Sequence, residues 1–242
     1  MIDDRGRKYL VKGNSDFHTN YGLVKSGYLI DSNIGRTIES NTGKKFFMVK
    51  PGIIDYIEKA KRGPQAVMLK DCGLIVAYTG IKSGSRVVEA GTGSGLLSMF
   101  LANIVAPEKL ISYEIRDDFA GIAEKNFRKA EISNIDIKMK NIYKGIDEKN
   151  LDLIVLDLPE PWKVIEHAKN SLKIGGYLVS YSPSIEQSKK FYDKLQGFIA
   201  ETRECLMREW DMVKVRPYSR MVAHTGFITF ARLVEKEWKQ KL

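Results

Sequence analysis

The chain has 242 residues, 43% of them hydrophobic and 29% charged, with a net charge of +9. This is the composition of a soluble globular protein with room for one large domain, or for a catalytic domain and a small appendage. It excludes a membrane-spanning helix, because no apolar run reaches the roughly 18 residues required. Two cysteines and three scattered histidines likewise exclude a disulfide framework and a zinc site, so no metal is expected. Cys72 and Cys205 sit among apolar neighbours and are expected as buried thiols, with a disulfide left open by the sequence. The opening Met-Ile-Asp-Asp-Arg-Gly is no signal peptide, which points to the cytoplasm.

The charge is unevenly spread. Residues 1–63 carry 12 basic against 7 acidic side chains, residues 64–202 carry 18 of each, and residues 203–242 carry 9 against 5. The excess sits on the two flanks of a neutral middle, which is consistent with a basic surface for nucleic acid and equally with charge that serves solubility alone.

Residues 1–62 read as a small β-rich domain. The runs 8–11, 22–30 and 45–49 are short and apolar or alternating. Turn formers separate them: Gly13-Asn14-Ser15, Asp31-Ser32-Asn33 and Asn41-Thr42-Gly43. A short helix over 53–61 and the punctuation Arg62-Gly63-Pro64 close this unit, so 63–242 is expected as the catalytic domain. A helix follows over 72–81 with Asp71 as its N-cap. From Ser85 strands and helices alternate. Strands are predicted at 86–89, 110–114, 135–138, 151–156 and 176–181, and helices at 94–105, 117–131, 162–173 and 185–195. Such alternation means a mostly parallel α/β sheet covered on both faces. Two longer strand-like runs, 198–210 and 226–234, then pair as an antiparallel hairpin on the sheet edge.

The most informative stretch is 85–97, Ser-Arg-Val-Val-Glu-Ala-Gly-Thr-Gly-Ser-Gly-Leu-Leu. A β-branched strand runs into glycines at 91, 93 and 95, and then into a helix beginning near Leu96 and Leu97. Such a turn brings backbone N–H groups up to a polar ligand. The dinucleotide pattern needs Gly or Ala where Leu96 stands, and no Gly-Lys-Ser/Thr follows for a phosphate loop. What remains is an acid, Glu89, ahead of Gly91-Thr92-Gly93-Ser94-Gly95. This resembles motif I of class I methyltransferases, which bind S-adenosylmethionine. The acid suits a cationic ammonium or sulfonium, and the glycines leave room for the amino-acid moiety.

Three further segments carry chemistry. The strand after motif I ends in Ser112-Tyr113-Glu114, where a carboxylate takes both ribose hydroxyls of an adenosine. Taken alone, Glu114 reads equally as a surface acid or a helix cap. The strand over 151–156 delivers Asp157-Leu158-Pro159-Glu160-Pro161-Trp162 at the sheet edge where ligands bind in open α/β folds. Two prolines stiffen this segment and hold a side chain in one place; the lesser alternative is a rigid loop with Asp157 as a cap. It is not the Asp-Pro-Pro-Tyr of many adenine-N6 or cytosine-N4 methyltransferases. Last, the stretch from Arg216 through Tyr218, Arg220 and His224 to Phe227 mixes basic, aromatic and hydroxyl groups suited to phosphates and a base.

Together these residues resemble the tRNA (adenine-58-N1)-methyltransferase family over nearly the whole chain. The carrying segments include Asp4-Arg5-Gly6-Arg7-Lys8-Tyr9-Leu10, Phe17-His18-Thr19, Lys70-Asp71 with Gly73-Leu74-Ile75, motif I, the Asp157 to Trp162 segment and His224-Thr225-Gly226-Phe227. The resemblance implies a Rossmann-like sheet and a homotetramer that methylates N1 of a tRNA T-loop adenine from S-adenosylmethionine. It also implies Asp157 as the catalytic residue between cofactor and base. Implied cofactor contacts are Glu89, the turn Gly91 to Leu97, Glu114, Phe119, Asn141, Ile142 and Asp157. Implied substrate contacts are Met68, Trp162, Arg216, Arg220 and His224.

The chain departs from the family pattern at three places. Met68 stands where many members carry a Tyr, Asn141 where an Asp often meets the cofactor adenine, and Ser219 where a His is common. Motif I and Asp157 are both kept, as in a catalytic rather than an inactive subunit. Two other functions fit the same motifs less fully. One is a class I methyltransferase for a protein carboxylate or small molecule; the other is a non-catalytic RNA-binding subunit.

Overall fold

The structure, a computed structural model, describes residues 1–13, 15–63 and 66–235. The predicted turn residue Asn14 and the predicted boundary residue Pro64 lie outside them. The chain divides into two compact units, Met1–Ala60 and Lys61–Leu242.

The first unit holds β1 (Ile2–Asp3), β2 (Phe17–Thr19), β3 (Gly22–Val24), β4 (Thr37–Glu39), β5 (Lys45–Phe47) and α1 (Ile53–Glu58). β1, β5 and β4 form an antiparallel sheet in that order, and β2 and β3 form a hairpin. The strands are shorter than the apolar runs suggest. Residues 8–11 contribute only a single bridge from Lys8 to Ile2, and the run 22–30 leaves the strand at Val24 for a short 3-10 turn at Ser26–Tyr28. Val24, Ile38, Phe46 and Met48 make the core, with the Tyr9 ring edge-on to Phe46 at 5.7 Å. Lys8 Nζ joins this unit's helix to its sheet by reaching Asp55 and Glu58, each at 2.9 Å.

The second unit is a three-layer α/β fold. It contains α2 (Leu69–Thr79), β6 (Val87–Ala90), α3 (Leu96–Val105), β7 (Leu110–Glu114), α4 (Asp117–Lys129), β8 (Ile135–Met139), β9 (Leu151–Leu156), α5 (Ile165–Ser171), β10 (Leu172–Ser182), α6 (Ile185–Asp193) and β11 (Phe198–Glu204). A two-residue ribbon, β12 (Trp210–Asp211) with β13 (Arg216–Pro217), and finally β14 (Phe227–Leu233) complete it. The strand order is β11-β14-β10-β9-β6-β7-β8. Pairing is parallel from β10 to β8, and β14 runs antiparallel between β10 and β11. The expected mostly parallel sheet with an antiparallel C-terminal pair is thus present. β11 rather than both partners forms the edge.

The order of connection reverses between β6 and β9, and ligands bind beyond the strand ends at such a reversal. β9 sits at the middle of the sheet: Leu153, Ile154, Val155 and Leu156 are all 0% exposed. Each fully buried side chain of this size contributes about 1.5–3 kcal/mol. α4 shows how sequence places a helix. Ala120, Ala123 and Phe127 bury one stripe, while Asp117 and Asp118 at the start and Arg128 and Lys129 at the end complement the helix dipole.

Three expectations are corrected. α2 begins at Leu69, and Asp71 is a buried member of its first turn rather than its cap; its carboxylate is held by side chains from elsewhere (below). Residues 162–173 are not one helix. Pro161 opens a 3-10 turn to Val164, α5 is short, and Leu172 already pairs with Leu151 in the sheet. Cys72 is buried, but Cys205 is partly exposed, and both are free thiols. Among the described residues no helix is long and apolar enough to cross a membrane. Among them also, no cluster of His, Cys, Asp or Glu is arranged to hold a metal ion.

Candidate active site

The glycine turn lies at the C-terminal end of β6. Gly91 has φ +94°, and a Cβ there would collide with the Asp157 carbonyl oxygen. The turn and the Asp157 segment therefore pass backbone to backbone, a proximity only glycine permits. The Asp157 N–H donates to Ala90 O at 2.9 Å and Gly91 N–H to Tyr113 O at 3.0 Å. The ends of β6, β7 and β9 are thereby locked together.

Glu89 lies in β6, two residues before Gly91. It is 1% exposed, and its carboxylate accepts from Ser98 Oγ at 2.5 Å and Ser112 Oγ at 3.1 Å. Burial pushes its pKa up to about 8. It therefore ties α3 and β7 beneath the turn. Thr92 Oγ1 adds a bond to Ser112 Oγ at 2.6 Å. Glu114, at the end of β7, reaches up to the turn: it accepts from Gly93 N–H at 3.0 Å, and from Ile115 and Arg116 N–H at 2.8 and 3.0 Å. A Cβ on Gly93 would meet only Gly91 O, at 3.8 Å, so the ground above the turn is open. Ser94 O is held by Asn126 Nδ2 at 2.8 Å.

Leu96 and Leu97 are buried in the core, so of these two residues it is their backbone at the start of α3 that is available to a ligand. The Phe119 ring carries the Arg116 guanidinium 3.9 Å above it. Asn141 Oδ1 accepts from Tyr143 N–H at 2.9 Å and caps the turn that buries Ile142. An open glycine turn, a carboxylate at the end of β7 and an amide after β8 are a donor and acceptor set that fits S-adenosylmethionine.

Beside the turn is a cavity of about 350 Å³ lined by Arg62, Gly63, Ala66, Met68, Asp157, Tyr181, Pro183 and Thr225. Its volume suits a small planar ligand. Met68, Tyr181 and Pro183 give apolar walls, and Asp157 supplies the carboxylate. Burial raises the Asp157 pKa to about 6. The loop behind Asp157 is pinned by Gln187 of α6, whose Nε2 donates to Leu158 O at 2.9 Å and Pro159 O at 2.8 Å.

Of the expected substrate contacts, only Met68 lines this cavity. Trp162 packs half-buried against the core with Lys190 Nζ 3.9 Å over its ring. Arg216 and Arg220 are exposed on the 205–226 loop and do not line the cavity. His224 is occupied: Nδ1 lies 2.6 Å from Glu204 Oε1, Nε2 lies 3.0 Å from Pro183 O, and its ring packs at a tilt of 46° against Phe227, with centroids 4.8 Å apart. The Glu204 carboxylate raises its pKa, so it tethers the loop. Sequence reasoning missed Arg62, Tyr181, Pro183 and Gln187. Tyr181 was within reach of it, since it sits at the C-terminal end of the strand next to β9, where ligand contacts gather. The others come from loops and helices that only folding brings together.

The family model described as "tRNA methyltransferase complex GCD14 subunit" matches residues 59–215. The tRNA (adenine(57)-N(1)/adenine(58)-N(1))-methyltransferase TrmI of Methanocaldococcus jannaschii is 39% identical, with 96% of this chain and 94% of that protein covered. The tRNA (adenine(58)-N(1))-methyltransferase TrmI of Thermus thermophilus is 32% identical, covering 99% of this chain and 96% of its own. Among solved structures, a SAM-dependent O-methyltransferase from Thermotoga maritima superposes with a TM-score of 0.89 at 32% identity, over 100% of this chain and 93% of its own.

Proposed function

We propose, from the premise that the chain belongs to the GCD14 tRNA methyltransferase family, that it methylates N1 of a T-loop adenine in tRNA. Position 58 is the principal target and position 57 a second candidate, as in the name of the Methanocaldococcus relative. The enzyme is a methyltransferase that uses S-adenosylmethionine. The observation that carries the reading is the double placement of Asp157: its backbone abuts the glycine turn and the residue lines the cavity beside it.

S-adenosylmethionine, when bound, supplies an electrophilic methyl carbon on a sulfonium sulfur. The turn from Gly91 to Gly95 would hold its amino-acid end through backbone groups, Glu114 its ribose hydroxyls, and Asn141 and Ile142, with Phe119, its adenine. A target adenine in the cavity would lie between Met68, Tyr181 and Pro183. Its N1 lone pair would take the methyl group, the carbon–sulfur electron pair staying with sulfur, and the purine would become cationic. The Asp157 carboxylate accepts a hydrogen bond from the exocyclic N6, which aligns N1, and stabilises the growing positive charge. The base must first leave its stack, at a cost of a few kcal/mol, and phosphate contacts from the basic flanks offset part of this.

Arg62 is the one cation lining the cavity, and among the described residues no carboxylate lies within ion-pair distance of it. It is therefore placed for the target nucleotide's phosphate. Arg62→Gln should raise KM for tRNA several-fold and flatten the slope of log kcat/KM against log salt by roughly 0.7–0.9, the loss of one contact. An unchanged slope removes Arg62 from the phosphate path.

A cytoplasmic location and self-assembly into a homotetramer belong to the same reading. Exposed Trp210, Met212, Val213 and Val215 around the β12–β13 ribbon support self-association. The Thermotoga structure, described as that of an O-methyltransferase, favours one competing reading, transfer to oxygen on another acceptor. Incubation of unmodified tRNA with methyl-labelled cofactor, followed by nucleoside analysis, decides between them. The proposal requires 1-methyladenosine as the product; labelled tRNA without it, or no transfer to tRNA at all, ends the proposal.

A further inference from the structure

The buried Lys70–Asp71 pair has no part in the chemistry above, yet it reaches the cavity wall. Lys70 Nζ donates to Asp71 Oδ1 at 2.8 Å, to Cys205 O at 2.6 Å and to Thr225 Oγ1 at 2.6 Å. The Thr225 hydroxyl, while accepting from Lys70, donates to Asp71 Oδ2 at 2.8 Å. The side chains of Lys70 and Asp71 are 6% and 0% exposed. Cys205 and Thr225 lie 135 and 155 residues from Lys70 in sequence.

Their positions are informative. Cys205 is the first residue after β11, and Thr225 is two residues before β14. One ion pair at the start of α2 therefore grips both roots of the 205–226 loop. Met68, at the N-terminus of the same helix, and Thr225 line the cavity. Tyr181, also on the cavity wall, donates its hydroxyl to Thr225 O at 2.6 Å. Gly226 is fitted against it, since a Cβ there would strike the Tyr181 ring.

Stability does not account for this arrangement. A buried ion pair can often be replaced by apolar side chains of similar volume without loss, whereas removing one partner is damaging. What charged, directional groups contribute that apolar ones do not is a single geometry.

We propose that Lys70, Asp71 and Thr225 form a positioning latch that sets the Met68, Tyr181 and Thr225 wall of the Asp157 cavity before the target base enters. The proposal rests on the methyltransferase reading, and it assigns these residues no contact with the reacting atoms. The latch is made of bonds within the chain that touch no glycine-turn residue, so its failure shows as loss of order in the loop and poorer capture of the base, not as loss of cofactor.

The decisive variant is Thr225→Val, which keeps the shape and removes the hydroxyl. Amides of residues 205–226 should exchange with solvent at least about tenfold faster, while those of β6 and β9 stay unchanged. kcat/KM for tRNA should fall about ten- to thirtyfold, the effect expected when one hydrogen bond to a charged group is lost. The dissociation constant for S-adenosylmethionine should stay within twofold, and Thr225→Ser should restore loop protection and efficiency to within about threefold. Should Thr225→Val perturb folding, the double variant Lys70→Met with Asp71→Asn, free of an orphaned charge, should show the same split. Wild-type loop exchange, cofactor affinity falling in step with tRNA efficiency, or no rescue by serine would each overturn the latch. The exchange measurement needs no activity. A wild-type enzyme that forms no 1-methyladenosine would therefore sink the functional reading while the latch was still decided.

Discussion

Asp157→Ala should leave S-adenosylmethionine and tRNA binding within a few-fold of wild type and lower single-turnover methyl transfer by about 10²–10⁴. The loss is expected because the carboxylate acts chiefly on the transition state. It accepts from N6 and faces the positive charge that grows on the purine as N1 takes the methyl group. In a half-buried site that interaction is stronger than it would be in water. Asp157→Asn separates two contributions, since the amide oxygen still accepts a hydrogen bond but carries no charge. It should lie between alanine and wild type. Wild-type single-turnover rates in both variants would remove Asp157 from the mechanism.

The same carboxyl predicts a pH profile. Burial lifts its pKa to about 6, and the ionised form is the useful one. The rate should therefore fall on the acid side, with an apparent pKa near 6 when cofactor is limiting and lower when it is saturating, because the sulfonium favours the carboxylate. The limb should vanish in Asp157→Asn.

Stability should move the other way. A carboxyl whose folded pKa is raised is bound more tightly to its proton in the folded state. Ionising it therefore destabilises the fold, progressively between the unfolded value of 3.8 and about 6. Asp157→Asn should raise the melting temperature by a few degrees at pH 7.5, and this gain should disappear below about pH 4. A variant that is more stable and less active is the signature of a group held at a functional site against its own solvation.

Gly91→Ala should abolish cofactor binding and lower the melting temperature by roughly 5–15 °C. Two effects add. The residue sits at φ +94°, where a side chain costs about 1–3 kcal/mol. The new Cβ would also strike the Asp157 carbonyl oxygen. Since that atom is backbone, held by the Asp157 N–H bond to Ala90 O, no side-chain rotation relieves the collision. A shift of either chain would move the turn off its ligand and Asp157 off its line. Gly121→Ala is the control. Gly121 lies within α4, and a Cβ there meets nothing within 4 Å, so that substitution should stabilise by about 0.4–1 kcal/mol. Cofactor titration and thermal melts of the two variants check both statements, and intact binding in Gly91→Ala would show that the turn is not the cofactor site.

Local pattern determined a good deal of this protein. The alternation of strands and helices from Ser85 onward, the broken dinucleotide spacing at Leu96, and the stiff segment after Leu156 all act over a few residues. They are legible because backbone preference and hydrophobic period are themselves local. They led to the parallel sheet with its antiparallel end, and to the placing of Glu114 and Asp157 at the strand ends. What tertiary structure alone decided is how side chains distant in sequence are used. Asp71 has the chemistry of a helix cap, but folding brings Thr225 to it and Lys70 pairs with it, so it became a buried ion-pair partner. Glu89 precedes the glycine turn in sequence, and folding adds Ser98 and Ser112 as hydrogen-bond partners of its carboxyl. Trp162 and His224 suited a base, yet Lys190 covers one and Glu204 with Pro183 O occupies the other. Tyr181, an unremarked strand end, faces the cavity instead. A polar side chain goes to whichever partner offsets its desolvation, and that partner is chosen by the packing of the whole sheet, not by the neighbours a sequence displays.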